Sequence, residues 1–312
     1  MISRPDVLVL GGGGVLGEAW MMGVLAGIED ATGFDLRQCE HFVGTSAGAI
    51  VAAHLVAGKA PRRPPHISSE LEVAGTQPAN SLAAVGARAA RRAGELALAA
   101  SSSFAPLAIG LSAPGGAVLR AAMLQALPRP RDTLEDLRGH VAASGARFDG
   151  RLRVTAVDRR SGRRTIFGTP GAPRATVADA VAASCSVPWL FAPVRISGRE
   201  YVDGGVWSAT NLDAAPARLH TYVLCLNPTA NITGTHSMLA LVRSVARSAV
   251  SIEALAVRRR GATVQAVAPS MDCAAAMGTN FMDREPRGDV AAAGYRQGLA
   301  LAQAPVPAAR RH

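Results

Sequence analysis

The first sixty residues constrain the chain most, because they alternate short apolar runs with helical stretches across glycine turns. Val7–Leu10 is an apolar run closed by the four glycines Gly11–Gly14. Helical spacing follows from Glu18 to Ala31 and stops near Gly33. A second short strand, Glu40–Val43, ends at Gly44, and an apolar helix from Ala47 to Ala57 ends at Gly58. Strands too short and too apolar to face water, separated by helices, imply an α/β fold with a mainly parallel sheet and helices on both faces.

The pattern breaks at residues 60–131 and then resumes. Arg62-Arg63-Pro64-Pro65 opens an Ala-rich, Arg-dotted stretch in which Leu96–Leu119 carries no charge. That length would permit a membrane span. Ser101–Ser103, Pro106, Pro114, Gly115 and Gly116 interrupt it, so a packed or lid-forming helical insertion is expected instead. Its uncharged part, flanked by Arg88, Arg91, Arg92 and Arg120, is a candidate lipid contact. Beyond it, strands are expected at Leu152–Val157 and Thr165–Phe167 around an Arg159–Arg163 turn. A further strand pair is expected at Val194–Ile196 and Glu200–Val202, with single strands at Tyr222–Leu226 and Thr263–Val267. Helices are expected at Thr176–Ser184, with Thr176 as its cap, at Ser237–Val257 and at Val290–Leu301. One domain over 1–312 is expected, with a core at about 6–227 extended by residues 236–303.

Three pieces carry chemistry. In Gly44-Thr45-Ser46-Ala47-Gly48, a sharp strand-to-helix turn would expose Ser46, and Gly44 and Gly48 would leave room for it. The helix that follows favours negative charge at the same spot. A helix-capping serine is the plainer alternative for this pentapeptide alone. In Gly11–Gly17, the backbone N–H groups of Gly12, Gly13, Gly14 and Val15 could form an oxyanion hole, with Gly17 closing the motif. A dinucleotide fingerprint also fits Gly12-x-Gly14-x-x-Gly17, but it needs an acid at the end of the second strand, where this chain has Gly44-Thr45-Ser46. In Tyr201-Val202-Asp203-Gly204-Gly205, Asp203 could act as base toward Ser46, or could simply bond its own hairpin turn.

The remaining titratable residues narrow the classes. None of His54, His66, His140, His220, His236 and His312 stands in a turn that would present a base, so a Ser-His-Asp esterase is the alternative rather than the leading reading. Cys39, Cys185, Cys225 and Cys273 form no CxxC pair and read as buried free thiols, with no disulfide framework or zinc site. Net charge is +10, nearly all of it arginine, since Lys59 is the only lysine. An arginine excess reflects genome composition or attraction to anionic surfaces. Aromatics at 4% and the lack of a recognisable module argue against nucleic acid. The N-terminus shows no signal-peptide pattern, and a cytoplasmic protein, in places touching an anionic membrane, is expected.

Together and in this order, the three pieces resemble the patatin-like phospholipase family. The resemblance rests on Gly12–Gly17, on Ser46 within Gly44–Gly48, on Asp203 with Gly204 and Gly205, and on Ala182-Ala183-Ser184-Cys185-Ser186-Val187-Pro188 before the aspartate. It implies a three-layer α/β/α fold and hydrolysis of carboxylic esters in a lipid or phospholipid. It also implies a Ser46–Asp203 dyad without histidine, and neither metal nor cofactor. Where the family usually has Arg or Lys before the last glycine of its loop, this chain has Leu16. That departure keeps a weakly active or non-catalytic lipid-binding homologue among the readings.

Overall fold

A computed structural model describes residues 3–64, 116–231 and 250–303. The strands are β1 (Val7–Leu10), β2 (His41–Gly44), β3 (Leu152–Asp158), β4 (Arg164–Phe167), β5 (Val194–Ile196), β6 (Arg199–Asp203), β7 (Tyr222–Leu226) and β8 (Thr263–Val267). The helices are α1 (Gly14–Thr32), α2 (Ala47–Val56), α3 (Gly116–Ala126), α4 (Glu135–Ala143), α5 (Val177–Cys185), α6 (Met271–Met277) and α7 (Arg287–Gln303), with a further helical stretch at 250–258.

One sheet runs β5-β6-β3-β2-β1-β7-β8, with β4 also paired to β3. The five strands from β3 to β8 along this order are parallel to their neighbours, while β4, β5 and β6 are antiparallel. Alternation along β1 divides the core in two. Leu8 and Leu10 join a large cluster with Trp20, Ile28, Phe42 and Ile50. Val7 and Val9 join a smaller one on the other face with Val223, Val250 and Val257. A strand buried on both sides needs apolar residues at every position, as Val7–Leu10 has. The α/β class and the mostly parallel sheet follow the expectation from sequence.

Boundaries show where local signals were overridden. Helix α1 begins at Gly14, four residues before the expected Glu18, because Gly14 and Gly17 of the stretch read as loop are already helical. It stops at Gly33, which takes φ 72° and donates its N–H to the Glu29 carbonyl. Helix α5 opens as expected. The Thr176 hydroxyl accepts from the Asp179 amide at 3.0 Å and donates to its carboxylate at 2.7 Å. Helices α4 and α6 were not expected. Most of the insertion at 60–131 and most of the helix expected at Ser237–Val257 lie outside the described residues. Within that insertion α3 is helical, and its Arg120 is buried rather than offered to lipid. Its guanidinium donates to the Gly162 carbonyl at 2.7 Å and stacks 4.4 Å above the Trp207 ring. No described helix is long and apolar enough to cross a membrane.

Candidate functional site

The site forms at the carboxyl edge of β1, β2 and β3, where open α/β sheets bind ligands. Ser46 joins β2 to α2 at φ 52°, ψ −122°, a conformation side chains rarely adopt. Two glycines permit the turn. A Cβ on Gly48 would overlap the Leu10 carbonyl, and one on Gly44 would overlap the backbone of Ala49. Ser46 caps nothing, since its side chain makes no capping bond to α2. Its own amide donates to Ser184 Oγ at 2.8 Å, so α5 fixes the backbone that carries the hydroxyl.

Asp203 closes β6, opposite Ala156 of β3 in the antiparallel register. Its Oδ1 accepts from the Gly205 amide at 2.6 Å, while its buried Oδ2 has no hydrogen-bonding partner among the described residues. Burial pushes its pKa up to about 6. The neighbouring Ser46 hydroxyl and the Gly205 amide offset part of that rise. Ser46 and Asp203 are therefore neighbours, with Asp203 Oδ2 left without a well-formed hydrogen bond.

A buried polar network joins the two turns. Asn211, at φ 50°, donates from Nδ2 to Thr45 Oγ1 at 3.1 Å, to the Gly204 carbonyl at 3.2 Å and to the Ser208 carbonyl at 2.7 Å. Thr45 Oγ1 lies 2.9 Å from Thr155 Oγ1. Glu253 holds the far side, accepting from Thr210 Oγ1 at 2.8 Å and the Leu212 amide at 2.9 Å. Thus the residues before Ser46 and after Asp203 share one set of bonds, which fixes the distance between them. Cys185 is buried beside both Ser46 and Asp203, and desolvation raises its thiol well above the ordinary range.

The glycine loop needs one correction. The Gly12 amide donates to the Ala209 carbonyl at 2.8 Å, so it is not free to hold an oxyanion. Gly12 matters instead for closeness, because a Cβ there would stand 3.3 Å from Ser46 Cβ. The amides of Gly13, Gly14 and Val15 have no partner among the described residues, and the Leu16 amide is taken by the Phe281 carbonyl at 3.1 Å. Gly14, at φ 57°, begins the nineteen-residue α1, so these free N–H groups sit at a helix N-terminus. A Cβ at Gly13 or Gly17 would press on Pro228. Leu16 is fully buried in the larger core.

No described histidine bonds to Ser46 or Asp203. His54 is buried against His140, with ring centroids 5.4 Å apart, and burial pulls its pKa down to about 3. His66, His236 and His312 lie outside the described residues. No cluster of His, Cys, Asp and Glu among the described residues could hold a metal ion. Sequence reasoning missed the roles of Ser184, Asn211 and Thr155. Ser184 lay in a segment noted for its small residues, yet nothing local marks it as the acceptor for an amide 138 positions away.

No curated protein sequence matches the chain. Among solved structures, VipD from Legionella pneumophila is 15% identical with TM-score 0.42, the match covering 96% of this chain and 67% of that one. The type III effector ExoU is 17% identical with TM-score 0.37, covering 96% and 53%. ExoU in its complex with SpcU from Pseudomonas aeruginosa is 18% identical with TM-score 0.37, covering 96% and 51%. The chain thus spans about half to two thirds of the length of these structures. A family model described as patatin-like phospholipase matches residues 8–216, a span that holds the glycine loop, Ser46 and Asp203. By that match the chain belongs to the patatin-like phospholipase family.

Proposed function

We propose that this protein hydrolyses carboxylic esters of lipids through Ser46 and Asp203. Family membership supports lipid hydrolysis in general. The observation that carries the dyad is the buried, unpartnered Asp203 Oδ2 beside a serine held at φ 52°. An isolated buried oxygen of this kind costs stability unless something compensates. A proton arriving from Ser46 would satisfy it.

In the proposed reaction, Ser46 Oγ attacks the ester carbonyl carbon and its proton passes to Asp203 Oδ2. The carbonyl oxygen becomes an oxyanion held by the free amides of Gly13, Gly14 and Val15, with the α1 dipole behind them. Collapse breaks the C–O bond, and the leaving alkoxide takes the proton from Asp203. Water then attacks the acyl-enzyme, gives its proton to Asp203, and the fatty acid departs as Ser46 Oγ recovers the proton. The raised pKa of Asp203 makes it a stronger base than an exposed carboxylate while leaving it ionised at neutral pH. Ser184 and Asn211 act as positioning residues.

Labelling with a fluorophosphonate probe in dispersed lipid tests the reading. Wild type should label, Ser46→Ala should not, and Asp203→Asn should label at least 100-fold more slowly, roughly the loss of a general base. An unlabelled wild type would leave a lipid-binding homologue as the better reading. Labelling of Asp203→Asn at the wild-type rate would rule out the dyad.

A further inference from the structure

Strand β3 outruns its parallel neighbour. Gly44, the last residue of β2, pairs with Val154, yet β3 continues to Asp158. The β3–β4 turn and the β5–β6 hairpin therefore project past the carboxyl edge. Arg159 lies three residues beyond Ala156, the partner of Asp203, which places it about 10 Å outward from the dyad at ordinary strand rise. This projecting end holds a groove of about 670 Å³ into which five arginines converge: Arg129, Arg159, Arg160, Arg195 and Arg199.

Among the described residues, two acids line the groove with them. Glu200 pairs with Arg129 at 3.3 Å and Arg159 at 3.4 Å, and Asp158 pairs with Arg199 at 3.1 Å. Arg160 and Arg195 are exposed, and their guanidinium groups form no ion pair or hydrogen bond among the described residues. Three net positive charges thus line a groove at the same carboxyl edge of the sheet that carries Ser46. Helix α3 lies against the same end through the Arg120 bond to Gly162 and its stacking on Trp207, four residues after Asp203. It exposes Val118 (77%) and Leu119 (48%). Apolar side chains beside a cationic groove fit neither a nucleic acid nor plain solvent. They fit an interface where acyl chains lie under anionic headgroups.

We infer that the projecting rim of α3, the β3–β4 turn and the β5–β6 hairpin is the surface by which this protein docks on an anionic phospholipid bilayer. The groove takes headgroup phosphates, Val118 and Leu119 enter the acyl boundary, and the Ser46 site faces the membrane. The inference rests on the proposed lipid activity for its purpose, not for its test.

The test is flotation of the full chain carrying Ser46→Ala with vesicles of phosphatidylcholine alone and of phosphatidylcholine mixed with phosphatidylglycerol. Binding is expected to the mixed vesicles only, and raised salt should release it. Adding Arg160→Gln and Arg195→Gln should weaken binding roughly 25-fold, from about fivefold for each charge removed at the surface. Adding Val118→Ser and Leu119→Ser should weaken it further, with an unchanged thermal midpoint as the folding control. Equal binding to both vesicle types, no binding to either, or full binding by the arginine variant would overturn the inference. So would tighter capture on double-stranded DNA than on mixed vesicles at the same salt. Turnover is absent throughout, so these outcomes stay separate from fluorophosphonate labelling of wild type, which judges the dyad alone.

Discussion

The Asp203 carboxyl is buried next to the Ser46 hydroxyl, and ionising it there opposes folding. Its pKa rises from 3.8 to about 6, chiefly through burial. Between those values the folded state holds a proton that the unfolded chain has lost, so stability falls as pH rises through this window. The loss is complete above about pH 6 and amounts to roughly 2–3 kcal/mol. Asp203→Asn keeps an oxygen for the Gly205 amide and removes the charge. Thermal melts should therefore show the variant more stable than wild type near pH 8, with the gap closing toward pH 4. In wild type, kcat/KM should climb tenfold per pH unit up to about pH 6 and then level. A flat profile through that range would remove Asp203 as the base. The turns that hold Ser46 and Asp203 were legible in the sequence because turn chemistry is local: glycines stand on both sides of Ser46 and follow Asp203. Asn211 was not, because it reaches Thr45 across 166 positions and no motif surrounds it.

Helix α1 shows the same limit at the scale of an element. Its glycines are punctuation in a sequence, yet Gly23 and Gly27 lie in its interior for a packing reason. A Cβ on Gly23 would overlap the Ala291 carbonyl, and one on Gly27 the Tyr295 carbonyl, both on α7. From the other side, Gly298 meets the Val24 carbonyl and Gly294 the Trp20 carbonyl. Glycines four apart on both helices bring the two backbones together and seat the N-terminus of α1 beside Phe281. The helix-forming runs were legible from apolar spacing; their pairing was not, since it depends on what α7 places opposite. Gly27→Ala should cost about 3 kcal/mol or more, because backbone cannot move aside as a side chain would. Gly139, inside α4, has nothing within 4 Å of its missing Cβ, so Gly139→Ala should stabilise by about 1 kcal/mol through helix propensity. Urea unfolding of the two variants beside wild type checks both signs. Equal effects would mean that helix propensity, not the α1–α7 contact, governs Gly27.

Over the whole molecule, one sheet serves two cores, and the four cysteines are distributed between them. Cys39, Cys185 and Cys273 sit in the larger cluster, and Cys225 sits in the smaller one on the opposite face. All four are buried free thiols, as the absence of a CxxC pair implied. Burial pushes the Cys39 thiol up to about 12 and raises Cys185 and Cys225 as well, which leaves almost no thiolate to react at neutral pH. Alternate residues of β1 belong to alternate cores: Leu8 and Leu10 to one, Val7 and Val9 to the other. Losing one face therefore exposes the strands that hold the other, and the two layers should open together. In native buffer a soluble aromatic disulfide reagent should label none of the thiols quickly. As urea is raised, all four should be labelled at one common rate, read by mass spectrometry of the cysteine peptides. Separate rates for Cys225 and the other three would show two layers unfolding independently. Rapid labelling of Cys185 alone would instead place a local opening at α5, beside Ser46.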